Sequence, residues 1–218
     1  MSDQIWLSSL QKHRVIPVIR ASKMLICQKM AMAVAEGGMR LIEITWNSDG
    51  ARELITYLRA ELPHCLIGTG TIFDVKQLEE AIVCGAQFIF SPHTDTEIIK
   101  AAVSKNIPII PGALTPTEIV TAWNYGASCV KVFPIQCVGG VNYIKSLQGP
   151  LSHIPLIPTG GINTQNAQDF LDAGAIAVGL GGELFPHHLV CQENWPMITQ
   201  LARTLVTKVN PIQDPRLL

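Results

Sequence analysis

The chain has 218 residues, 48% of them hydrophobic, and 16 basic against 17 acidic side chains leave a formal charge of -1. That length and apolar content supply a sizeable core for one large domain or two small ones and exclude a disordered chain. The near balance of charge excludes a global basic field for nucleic acid or an anionic membrane surface, and turns attention to small-molecule partners.

From the N-terminus, Met1 to Arg14 lacks the basic stretch and apolar core of a secretory leader, and no apolar run reaches the length that crosses a bilayer. A soluble cytoplasmic protein is expected. A helix is read near 3–13, ahead of the first strand. An aliphatic-proline step then opens an apolar run at Ile16-Pro17 and returns at Leu62-Pro63, Ile107-Pro108 and Ile154-Pro155, with the prolines 46, 45 and 47 residues apart. A Gly-Gly or Gly-Ala step interleaves at Gly37-Gly38, Gly85-Ala86, Gly126-Ala127 and Gly174-Ala175, and reads as a helix stop. Helical periodicity with start signals lies between, as in Thr115-Pro116-Thr117-Glu118, and in Asn163-Thr164-Gln165 leading to Phe170-Leu171.

Each module is therefore strand, helix, strand, helix, and four modules predict eight strands near 15–20, 40–45, 66–71, 88–91, 108–111, 129–133, 156–159 and 176–179. Strands alternating with helices imply parallel pairing, and eight such units are the number that closes a (β/α)8 TIM barrel, here with an extra N-terminal helix and one domain over 1–218. An open doubly wound sheet is the alternative, but no Gly-x-Gly-x-x-Gly turn follows Val15 to Arg20. The tail from Lys208 to Leu218, with Pro211 and Pro215, is expected to be loosely held.

Barrel sites sit where strands end, so polar residues there carry the chemistry. In Ser128-Cys129-Val130-Lys131-Val132-Phe133-Pro134 a lysine sits inside an apolar, β-branched run. Burying an unpaired ammonium is costly; a partner carboxylate or loss of the proton relieves it, and a neutral lysine attacks carbonyl carbon. In Leu41-Ile42-Glu43-Ile44-Thr45, period-two alternation puts Leu41, Glu43 and Thr45 on one side, as it does Cys129, Lys131 and Phe133, so Glu43 and Lys131 both face the interior. They are read as proton shuttle and nucleophile, or as a plain ion pair. Pro158-Thr159-Gly160-Gly161-Ile162-Asn163 after strand seven and Gly179-Leu180-Gly181-Gly182-Glu183 after strand eight have the glycines that let backbone amides cradle a phosphate. Tight turns alone are the other reading.

The six cysteines form no CxxC and are scattered through apolar segments as reduced core residues. The six histidines form no HExxH or H-x-E pattern, so neither a metal nor a cofactor is expected.

Taken in order, the stretches 14–20, 36–45, 68–71, 85–92, 109–115, 126–134 and 158–162 make the chain resemble the class I 2-keto-3-deoxy-6-phosphogluconate (KDPG) and 4-hydroxy-2-oxoglutarate (KHG) aldolases. The resemblance implies that Lys131 forms a Schiff base, that Glu43 moves protons, and that Thr71 helps hold the pyruvate carboxylate. It further implies that Pro92 and Phe133 shape the pocket, that Thr159, Gly160 and Gly161 hold phosphate, and that the protein is a homotrimer acting on a phosphorylated keto acid. Three positions depart from the family pattern. Asn47 stands where an arginine usually binds the substrate carboxylate, Gly182 replaces a serine near the phosphate, and His93 follows Ser91-Pro92 in place of glycine. The residues alone leave two other readings open: a phosphosugar isomerase or epimerase with Glu43 as base, and a non-catalytic protein that binds a phosphorylated metabolite.

Overall fold

The structure is a computed structural model describing residues 3–210, so the part of the tail from Pro211 onward lies outside the described residues. The N-terminal helix α1, Asp3–His13, has an acidic first turn and Lys12 and His13 in its last, in the sense the helix dipole favours. Its Trp6 and Leu10, one turn apart, are fully buried. The strands follow as β1 (Val15–Ile19), β2 (Leu41–Thr45), β3 (Leu66–Gly70), β4 (Ile89–Phe90), β5 (Ile109–Ile110), β6 (Gly112–Ala113), β7 (Val130–Val132), β8 (Leu156–Pro158) and β9 (Val178–Leu180).

Helices alternate with them as expected: α2 (Met24–Glu36), α3 (Ala51–Glu61), α4 (Val75–Val83), α5 (Thr96–Ser104), α6 (Pro116–Asn124), α7 (Val141–Leu151), α8 (Ala167–Asp172), α9 (His187–Cys191) and α10 (Trp195–Val209). Local chemistry fixes their ends. Asp74 and Asp95 cap α4 and α5, and Thr115 with Glu118 forms a reciprocal capping box on α6, with Pro116 in the first turn. The four glycines that close the modules, Gly38, Gly85, Gly126 and Gly174, all have φ near +98° or within a few degrees of it, a conformation that side chains with a Cβ resist.

Every strand pair is parallel. Six strands form one sheet in the order β5-β4-β3-β2-β1-β9, and three form a second in the order β6-β7-β8. At one junction the Ser128 amide donates to the Ile109 carbonyl at 3.0 Å and the Lys131 amide to the Pro111 carbonyl at 2.9 Å; at the other, Thr159 bridges to Gly179. Three sequence expectations shift. The fifth strand is split at Pro111, which has no N–H to give to a ladder. The last strand starts at Val178, two residues late, where its register with Val15 begins. Asn163 does not open α8: its Oδ1 accepts from the Gln165 and Asn166 amides in an Asx turn, and the helix begins at Ala167.

Burial divides along the pleat. Ile42, Ile44, Val130 and Val132 belong to the large cluster packed with the helices, whereas Leu41, Cys129, Phe88, Phe90, Ile16 and Ile157 join Trp6 in an inner cluster. Alternation thus turns Glu43 and Lys131 to the inner side with Leu41 and Cys129. Trp6 stacks on Phe88 with ring centroids 4.8 Å apart, and Asp3 accepts from the Ser128 hydroxyl at 2.5 Å, so α1 lies across the amino-terminal ends of the strands. The opposite, carboxyl ends carry the polar residues.

Candidate active site

Lys131 is 7% exposed and Glu43 2% exposed on two otherwise apolar strands. The Lys131 ammonium lies over two rings, 4.9 Å from the centre of Phe133 and 5.7 Å from that of Phe90, which return part of the solvation that burial removes. Glu43 and Lys131 are not joined in an ion pair, and Glu43 Oε1 has no hydrogen-bond partner. Burial pushes the Glu43 carboxyl above its usual range, against the opposing pull of Lys131 and Arg20. Burial thus favours the protonated Glu43 carboxyl, whose oxygens lie more than 4.0 Å from the Lys131 nitrogen. Gly70 makes that placement possible, since a Cβ there would overlap Glu43 Oε1.

The structure brings further predicted residues to the same end. Thr71, directly after β3, holds a positive φ of 64°, uncommon for a β-branched side chain. The carbonyl of Pro92 packs on Gly112, the strand partner of Lys131. Phe133 is 38% exposed at the mouth. Thr159 is buried, its amide donating to Val132 and its carbonyl accepting from Ile135. Gly160 and Gly161 follow with φ of 99° and 80°, and a Cβ on Gly160 would meet Pro134 and Phe133, which are joined by a cis bond. Around Gly182 a Cβ would meet nothing within 4 Å.

Two residues stand apart. Asn47 is exposed in the turn after β2, and its side chain makes no hydrogen bond among the described residues. His93 is stacked on Phe73 at 5.8 Å and has Nε2 3.9 Å from Asp95 Oδ2.

Sequence reasoning passed over Arg20. It follows the last residue of β1, and its Nη2 donates to Thr71 Oγ1 at 3.2 Å while its Nε donates to Thr45 Oγ1 at 3.4 Å. The signal was available: a cation at the carboxyl end of a strand, where every other site residue was sought.

A buried lysine near a buried glutamate with one unpartnered oxygen, at the carboxyl ends of parallel strands, marks the class as an α/β enzyme built around an amine. Comparison with known proteins narrows it. The family model "KDPG and KHG aldolase" matches residues 7–201. The KHG/KDPG aldolase of Escherichia coli (strain K12) is 35% identical over 199 residues, covering 91% of this chain and 93% of that protein. The 2-dehydro-3-deoxy-phosphogluconate aldolase of Dickeya dadantii (strain 3937) is 35% identical over 192 residues, 88% of this chain and 90% of its own. A crystal structure of KDPG aldolase from Legionella pneumophila, with pyruvate captured as a covalent carbinolamine intermediate, superposes with a TM-score of 0.84 at 29% identity, covering 91% of this chain and 97% of that one. The chain belongs to the KDPG and KHG aldolase family.

Proposed function

We propose that the protein is a class I aldolase that reversibly cleaves 2-keto-3-deoxy-6-phosphogluconate to pyruvate and glyceraldehyde 3-phosphate, with 4-hydroxy-2-oxoglutarate, giving pyruvate and glyoxylate, as a second substrate. The observation that carries this is the buried Lys131 amine near a Glu43 carboxyl that burial pushes towards its protonated form and whose Oε1 has no hydrogen-bond partner. Lys131 Nζ attacks the C2 keto carbon, and Glu43 supplies the proton with which the carbinolamine loses water. In the protonated imine that results, the Glu43 carboxylate takes the C4 hydroxyl proton as the C3–C4 bond breaks, and the imine accepts the electron pair. Returning that proton to C3 and adding water frees pyruvate and the amine.

Arg20 and Thr71 hold the carboxylate in this reading, in place of an arginine at position 47. The amides around Thr159, Gly160, Gly161 and Gly182 hold the phosphate, while Pro92 and Phe133 wall the pocket. The two sheets join at both junctions as one eight-stranded barrel, in which β5 and β6 are a single strand interrupted at Pro111, and the chain forms one domain. A cytoplasmic homotrimer is the expected assembly.

The test is mass spectrometry after incubation with pyruvate and borohydride. A three-carbon adduct on Lys131, lost together with cleavage in Lys131→Met, is the expected result. An unmodified Lys131 in an active enzyme would favour the isomerase reading, and ligand binding without turnover the non-catalytic one.

A further inference from the structure

Arg20 reaches the mouth of the site without a carboxylate partner among the ion pairs of the described residues. Hydroxyls hold it instead. Thr45 Oγ1 accepts from Arg20 Nε, which leaves the Thr45 O–H free to be donated, and Ser48 Oγ lies 2.9 Å away. The Cys27 thiol, in the first turn of α2, donates to the Ala21 carbonyl at 3.9 Å. Ala21 is the residue after Arg20, in the loop from which the guanidinium springs. A second tie joins the same loops, because the Asp49 amide donates to the Ala21 carbonyl at 3.4 Å.

Thr45 is fully buried and Ser48 is 6% exposed, so water does not compete for the bond between them, while the Arg20 side chain itself is exposed. Neither hydroxyl is hydrogen-bonded to Glu43 or Lys131, which leaves the Thr45–Ser48 pair outside the proposed proton path. The far end of the guanidinium rests on Thr71, whose backbone keeps a positive φ of 64°. A sparsely populated backbone conformation survives where its surroundings enforce it, and here it aims a hydroxyl at the arginine. A long arginine side chain left free would lose rotamer freedom on meeting an anion; one already ordered does not.

We infer that Thr45 and Ser48 are positioning residues that hold the Arg20 guanidinium against Thr71 and thereby set the affinity of the site for the carboxylate of the keto acid. The inference rests on the reading of Arg20 as the group that holds that carboxylate. The experiment is the rate of borohydride trapping against pyruvate concentration for Thr45→Val, Thr45→Ser, Ser48→Ala and Arg20→Gln, and for Thr45→Val and Ser48→Ala each combined with Arg20→Gln. Thr45→Val raises half-saturating pyruvate about 5- to 10-fold, the loss of one hydrogen bond to a charged group, with the saturated rate within about twofold. Thr45→Ser restores the parent value, and neither Thr45→Val nor Ser48→Ala adds anything once Arg20 is Gln. If Arg20→Gln leaves half-saturation unchanged, the reading of Arg20 fails and the positioning role falls with it. If Arg20→Gln raises half-saturation but Thr45→Val does not, raises it equally in both backgrounds, or lowers the saturated rate instead, the positioning role alone is overturned. Should Thr45→Val not fold, Ser48→Ala in the two backgrounds decides by the same criteria.

Discussion

Glu43 is a carboxyl whose burial favours its protonated form, and this ties catalysis to stability. A carboxyl with a raised value in the folded state binds its proton more tightly there than in the unfolded chain. Its contribution is therefore fully present below the ordinary value of 4.5 and is lost as the pH rises through the raised value. Glu43→Gln keeps the shape and removes the titration. Thermal unfolding should find the variant more stable than the parent at about pH 8, with the difference vanishing towards about pH 4. The same substitution should slow turnover by roughly 100-fold or more while sparing pyruvate binding. Arg20→Gln should act in the opposite sense, raising half-saturating pyruvate by roughly 10- to 150-fold, the range for losing a charge-assisted hydrogen bond. At this scale the sequence announced Lys131 and Glu43, because a charged residue inside an apolar strand needs a reason. Arg20 stood where the strand-end rule points, but an arginine there resembles a solvated surface charge until its contacts with Thr45 and Thr71 are known.

Among the elements, α1 makes the clearest contribution to stability away from the site. Trp6 is fully buried against Phe88, in the inner cluster below the reacting groups. Trp6→Ala should cost about 3 to 5 kcal/mol in denaturant unfolding and leave the trapping of pyruvate by the folded fraction intact. Most elements were legible because each carries its own local instruction: the Thr115 and Glu118 capping box, or the glycines that end α2, α4, α6 and α8. The boundaries that moved depend on something outside the element. β9 begins where Val178 finds Val15, a tertiary register that no local pattern encodes. α8 begins late because the Asn163 side chain bonds its own loop, competing with the helix for the same amides. Tertiary pairing also explains why Glu43 could be placed on the correct face from alternation, yet its separation from Lys131 could not.

At the scale of the whole molecule, the chemistry of the proposed cleavage needs no Lewis acid, because the protonated imine is the electron sink. Activity in a standard cleavage assay should survive exhaustive chelation; recovery that depends on added metal would point to a different mechanism. One feature of the sheet bears on how the molecule moves. Pro111 separates β5 from β6 along one stretch of chain, and it is the Pro111 carbonyl that receives the Lys131 amide. The strand carrying the amine thus belongs to the three-stranded sheet and meets the larger one along a seam with a missing rung, while Glu43 belongs to the larger sheet. The two groups proposed to carry the chemistry ride on different sheets. In deuterium exchange, amides of β6, β7 and β8 should lose protection together and ahead of those of β2 and β3, and a ligand bonded to Lys131 and gripped by Arg20 should act as a stitch across the seam, slowing both to a common rate.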